Sequence, residues 1–253
     1  AGGHAMRGLG QLIVVQTKLF LREPPAFFFT LIFPALLLLL FGFIFGNEPL
    51  TQWGVAAGYI DLQVPALAAI IIGSVGLIGI PVATSAAREA RILRRYRATP
   101  VSPLTLIAAD LLVNFGLSVV GMTILIGLGR GLFGLRFGGS WPVVFAVFTF
   151  AAFAFFALGY LIASLSPTAR AAQTVGMAAF FPLMFLSGAA MPRYLMPAKV
   201  VEVSDLLPLT HVVETLQTVW MGDPLATRAA ELGWLAAFLL VGTLLSVRLF
   251  RWE

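Results

Sequence analysis

Apolar residues fall into six long runs, and the charged residues collect between them. The runs lie at about residues 27–45, 64–84, 104–128, 142–165, 171–190 and 232–249. A helix needs about 20 mostly apolar residues to cross hydrocarbon, so each run predicts a transmembrane helix. Pro34 and Pro182 lie inside runs and predict kinks, which membrane helices tolerate better than soluble ones. The first run is too long for a removable signal peptide and lacks a small-residue cleavage site. Ahead of it, residues 8–22 set Leu12, Ile13, Val15, Leu19 and Phe20 among Gln11, Gln16, Lys18 and Arg22. That pattern predicts an amphipathic helix lying in the membrane interface. Glu23-Pro24-Pro25 then ends the helix and turns the chain into the bilayer. The five residues before Met6 read as an expression remnant outside the fold, which leaves 6–253 as one membrane domain.

The connection at residues 191–230 is long but not polar. Pro192, Pro197 and Pro208 cut it into short pieces that carry Leu195, Val200, Leu207, Leu216 and Trp220. A connection this apolar should fold back into the outer leaflet, where irregular backbone is tolerated only under a cover of protein or water. Glu202, Asp205, Glu214 and Asp223 argue against a seventh span.

Residues 88–103, REARILRRYRATPVSP, hold five arginines within ten positions. Such a cluster cannot lie in hydrocarbon, and its sign places the loop in the cytoplasm. With the N-terminus inside, the inner loops and ends carry eleven Lys and Arg and the outer ones five, which predicts both termini in the cytoplasm. If the loop is helical, Ile92, Leu93 and Tyr96 share one face. A basic helix with an apolar ridge is a surface that a partner protein can grip.

Composition agrees: 60% of residues are hydrophobic, 11% are charged, and mean hydropathy is +0.98. Soluble domains carry about a quarter charged residues, so this chain has too little polar surface for a water-soluble fold. The net charge of +5 comes from basic residues at the ends of apolar runs, where anionic lipid accounts for them and nucleic acid is not needed. There is no cysteine, no cluster with metal-ligand spacing, and no Walker A lysine. Residues 129–134 fit G-x-G-x-x-G but follow no strand. The G-x-x-x-G pairs Gly42/Gly46, Gly54/Gly58 and Gly127/Gly131 suggest close helix packing. Asp110, within the third span, is the intramembrane polar candidate, either as a functional carboxylate or as a group bonded within the bundle to Asn114.

The chain resembles the membrane subunit of type-2 ABC transporters, in particular the branch that exports drugs, antibiotics and lipids. Tyr96-Arg97-Ala98-Thr99-Pro100-Val101-Ser102-Pro103 fits that family's LRATPVSP phrase with Tyr in place of Leu. Glu89 and Leu93 fit the acidic and leucine positions upstream, whereas Arg91 and Ile92 stand where Gly and Thr are usual. Phe185-Leu186-Ser187-Gly188, then Pro192, Met196-Pro197 and Leu207-Pro208-Leu209-Thr210-His211, fit its fifth span, external hairpin and re-entry.

The resemblance implies an all-α integral membrane protein: six transmembrane helices, an interfacial helix, a coupling helix after the second span, and an external re-entrant hairpin before the sixth. It implies a multi-pass permease without its own ATPase site or cofactor, most naturally in a bacterial cytoplasmic membrane. ATP and Mg would be held by a separate nucleotide-binding subunit docked on Glu89, Ile92, Leu93, Tyr96, Arg97 and Thr99. Pro192, Pro197, Pro208, Leu209, Thr210 and His211 would form the external gate. A second copy, or a homologous permease, would complete the path for a small amphipathic substrate, with spans two and five lining it among membrane lipids. Polysaccharide export is a more distant fit, given the apolar re-entry. A secondary transporter or channel would instead show inverted repeats and mid-membrane charges. A membrane scaffold would use the basic loop for lipid alone.

Overall fold

The computed structural model of the chain describes residues 2–49, 57–91 and 103–249. Among these the architecture is helical, with one isolated bridge between Pro49 and Gly58. In order, the helices are α1 (Gly2–Leu21), α2 (Pro24–Phe45), α3 (Tyr59–Glu89), α4 (Pro103–Phe133), α5 (Trp141–Leu165), α6 (Ala169–Leu186), α7 (Ala198–Ser204), α8 (Pro208–Met221) and α9 (Ala229–Leu249). Single 3-10 turns, Arg193–Leu195 and Leu225–Arg228, precede α7 and α9. Six helices, α2 to α6 and α9, are long and apolar enough to cross a membrane.

Local chemistry explains several boundaries. Glu23 is extended (φ −99°, ψ 92°), and Pro24 and Pro25 occupy the first helical positions of α2, where the missing N–H costs nothing. The helix α3 runs for 31 residues, beyond the apolar run at 64–84 on both sides. Asp61 accepts the Gly58 N–H (3.1 Å) and closes its first turn, so a charged residue that ends the apolar run starts the helix. Pro34 and Pro81 do not stop their helices. Each lies two residues after a π-turn, Phe28–Ile32 in α2 and Val75–Gly79 in α3. There the Phe33 N–H bonds the Phe28 carbonyl, and the Ile80 N–H bonds the Val75 carbonyl. The wider turn absorbs the donor that proline lacks.

The core is built around α3. Most of it is buried within the chain, 89% of its most apolar window against 22% for α2 and α6 and 17% for α9. The other spans therefore wrap α3 and turn their remaining apolar surface outward. Of the two spans implied to line a path, α6 keeps an outward face and α3 keeps almost none in the single chain. Apolar burial drives little association in lipid, so close packing has to hold the bundle. It is closest at the second π-turn. Just ahead of Pro81, which offers no N–H, the carbonyls of Gly76 and Leu77 face Gly159 of α5 and Gly176 of α6. A Cβ on Gly159 would lie 2.2 Å from the Gly76 oxygen, and one on Gly176 only 2.0 Å from the Leu77 oxygen. Glycine Cα–H groups are the only side that can approach these oxygens. One layer away, the Thr30 and Ser74 hydroxyls meet at 3.2 Å and join the two π-turn regions.

The G-x-x-x-G expectation is corrected for two of its three pairs. Nothing lies within 4 Å of a Cβ placed on Gly46, Gly127 or Gly131, and Gly42 meets the Phe133 ring; Gly58 does meet Asn47 closely, and Gly54 lies outside the described residues. Inside the bundle Gly76, Gly159 and Gly176, on three different helices, bring backbones together, and at the loops Gly58, Gly138, Gly139 and Gly222 do so, so no single local spacing announces them. Gly176→Ala is expected to lower stability by about 1–3 kcal/mol through overpacking. Gly127→Ala should be neutral, within about 0.5 kcal/mol, or stabilising by helix propensity. Denaturation in mixed detergent micelles, followed by helical circular dichroism, measures both.

Candidate functional site

At one end of the bundle, α3 finishes in Arg88 and Glu89 beside the turn between α5 and α6. Arg88 donates to the Ala163 carbonyl (3.1 Å) and to the Ser166 carbonyl, both in the last turn of α5. Glu89 accepts the Ala169 N–H (3.1 Å) at the first residue of α6. A cation on a helix C-terminus and an anion on a helix N-terminus each match the local dipole. Adjacent residues thus clamp one helix end and one helix start. Of the expected docking residues, Glu89 is described and engaged in this clamp. Ile92, Leu93, Tyr96, Arg97 and Thr99 lie outside the described residues. Arg91 adopts φ +53°, the left-handed conformation that favours glycine, at the position where the resembled family has glycine. The helix ends for the same backbone reason, without the residue that makes it easy.

A second constellation ties the opposite end. The buried Asp61 carboxylate accepts the Asn47 amide (2.8 Å), the Arg136 N–H (2.8 Å), Arg136 Nε (3.1 Å) and the Gly58 N–H. Asn47 Oδ1 in turn accepts the Ile60 N–H (3.0 Å), and Arg136 Nη2 donates to the Asn47 carbonyl (2.9 Å). One carboxylate so gathers the loops after α2 and α4 onto the start of α3. Sequence reasoning passed over Asp61 because it lies outside the apolar run. Its signal was its place three residues after Gly58, a capping spacing.

The expected gate residues lie between this end and the middle of the bundle. Leu209, Thr210 and His211 are buried, Pro192 and Pro208 are half-buried, and Pro197 is exposed. The prolines act as punctuation: Pro192 and Pro197 precede a 3-10 turn and α7, and Pro208 opens α8. Thr210 donates to the Ser204 carbonyl (2.7 Å) and fastens α8 to α7. Leu209 packs on Gly73, midway along α3, while Gln217 donates to the Leu62 carbonyl (3.0 Å) near its start. The helix α8 therefore runs from the middle of the bundle to its end, antiparallel to α3. His211 stacks on Trp234 at 5.8 Å, and both its ring nitrogens lack partners. Burial holds its pKa below the ordinary value, against the opposing pull of Glu214, Glu231 and Asp205. Arg193 bridges Asp205 and Glu214, and Arg228 bridges Glu214 (3.0 Å) and Glu231 (2.8 Å). This network borders a cavity of about 420 Å³ lined by Tyr59, Gln63, Tyr194 and Gln217.

Asp110 belongs to a different cavity, of about 310 Å³, between α1, α3 and α4 at the Arg88 end. Its Oδ2 accepts the Tyr160 hydroxyl, and Asn114 donates to its backbone carbonyl (2.9 Å). Asn114 is therefore a neighbour by its amide, while the carboxylate finds its donor on α5.

Asp61→Ala is expected to cost about 3 kcal/mol, since several charge-assisted bonds and a helix cap disappear together. Arg91→Gly should instead stabilise by about 1 kcal/mol, by relieving a left-handed non-glycine residue. Denaturation midpoints of the two variants check both signs.

Residues 54–248 match the family model described as ABC-2 family transporter protein. Over 98 residues, 39% of this chain, it is 29% identical to nodulation protein J of Rhizobium leguminosarum bv. viciae and 29% identical to nodulation protein J of Rhizobium meliloti (strain 1021). The aligned stretch spans 38% and 37% of those relatives' lengths, so the likeness reaches well under half of each. The family match, by contrast, takes in five of the six apolar helices whole or nearly so, α3 to α6 and α9. The chain belongs to the ABC-2 family of transporter proteins and is a multi-pass protein of the cell membrane.

Proposed function

We propose that the chain is the membrane-spanning permease subunit of an ATP-driven exporter that moves amphipathic drug-like or lipid molecules out of the cytoplasm. The observation that carries this reading is the family match over residues 54–248, laid on six apolar helices. Both termini face the cytoplasm in this reading, which the excess of Lys and Arg on that side supports. The Arg88 end is then cytoplasmic, and α7 and α8 re-enter from outside, which suits a helix that starts on Gly73 at mid-bundle. The relatives' name, nodulation protein J, specifies no cargo. The outward apolar faces of α2, α6 and α9 suit an amphipathic substrate and a second permease copy or homologue.

ATP and Mg belong to a separate nucleotide-binding subunit, which docks on residues 88–103. Work done on that loop enters α3 at Glu89. The clamp of Arg88 and Glu89 on Ala163, Ser166 and Ala169 passes the same displacement to α5 and α6, so three spans answer to one loop. The test is co-expression with the flanking genes, followed by purification and assay in proteoliposomes. The chain and an ATPase should purify together and hydrolyse ATP faster with substrate. Leu93→Asp combined with Tyr96→Asp should abolish co-purification or the stimulation. Recovery of the chain alone, with no ATPase bound, overturns the exporter reading; unchanged stimulation in the double variant overturns the docking site.

A further inference from the structure

The cavity around Asp110 is walled mainly by apolar side chains, yet three acceptors face it from three elements. Gln16 comes from α1, Glu23 from the joint between α1 and α2, and Asp110 from α4. Gln16 Oε1 is buried and has no hydrogen-bond partner. Glu23 sits at the N-cap of α2, but its side chain makes no capping bond. Asp110 accepts the Tyr160 hydroxyl and has the Asn114 amide beside it. No lysine, arginine or histidine is among the described residues lining the cavity. Carboxylates in an apolar wall need either a partner or a proton. Burial, and after it the charge of Asp110, push the Glu23 carboxyl up to about 7. Among the described lining residues none supplies the missing cation.

We propose that this cavity binds the protonated primary amine of an amphipathic molecule, with Gln16, Glu23 and Asp110 as its acceptors and Phe20, Ile107 and Val113 along its apolar body. An ammonium group has three N–H donors and no acceptor, which suits the side-chain oxygens of Gln16, Glu23 and Asp110. Val15 and Leu19, both exposed, stand at the α1 rim, where such a molecule would enter from the membrane interface. As a statement about cargo this rests on the permease reading; as a statement about binding it does not.

The experiment uses the full chain in phosphatidylcholine nanodiscs, without nucleotide or ATPase. The probe is a dansylated primary alkylamine, and the comparator is the same compound ending in a hydroxyl. The amine should bind about tenfold or more tightly than the alcohol, the scale of a charge-assisted hydrogen bond. Asp110→Asn and Glu23→Gln should each remove most of that preference, and Gln16→Leu should weaken it about threefold. Retained alcohol binding reports an intact cavity in every variant. Among the described residues, the titratable groups that line the cavity with Glu23 are Asp110 of α4 and Tyr160 of α5; those of α1 and α3 add none. The preference should therefore grow from pH 6 to pH 8 as Glu23 loses its proton near 7, and a flat profile overturns its assignment. Equal affinity for amine and alcohol on the unaltered chain, or an unchanged preference in both carboxylate variants, overturns the site.

Replacing part of the lipid with phosphatidylethanolamine separates two sources of the same chemistry. Displacement of the probe assigns the amine to a lipid headgroup, and no displacement assigns it to a drug-like molecule. Failure of this binding leaves the permease reading standing, and failure of ATPase co-purification leaves the amine site standing.

Discussion

Two carbonyls on α3, those of Gly76 and Leu77, lie at the π-turn just ahead of Pro81 and face neighbouring helices. Much of the bundle follows from how they are covered. Only a backbone without Cβ can come close enough, and Gly159 and Gly176 bring α5 and α6 there. The helix α3 is thereby enclosed, and its neighbours are left with outward apolar faces. The same device, a π-turn followed by proline, recurs in α2, and Thr30 and Ser74 join the two places. A defect in the helical ladder thus becomes the point where several helices are registered.

The ends of α3 extend that control. At Asp61 a buried carboxylate draws in the loops after α2 and α4, and at Arg88 and Glu89 a pair of opposite charges holds the α5–α6 turn. Each device works through unsatisfied groups at helix ends, whose partial charges call for the opposite sign. The helix α3 is thus held at both ends as well as at its middle. Arg91, in a left-handed turn directly after it, marks where the helix ends.

Much of the frame is legible in the chain. Six apolar runs become six helices of sufficient length, α1 forms ahead of them, and Pro24, Pro197 and Pro208 begin helices as a residue without an N–H should. The sites are less legible. Asp110 stands out because a carboxylate inside an apolar run is conspicuous, but its donor, Tyr160, is 50 residues away on another helix. Gln16, Glu23 and Asp61 look like ordinary polar residues at the ends of elements.

By itself the sequence determined which segments are buried in lipid, because crossing hydrocarbon is a property of one continuous apolar stretch and needs no partner. The arrangement was decided only by the tertiary structure: which helix is central, which glycines allow contact, and which acceptors share a cavity. Lipid is as apolar as the helix surfaces, so hydrophobicity cannot rank one helix pairing over another. The choice falls to close approach and to polar groups seeking partners, and these depend on residues brought together from distant parts of the chain.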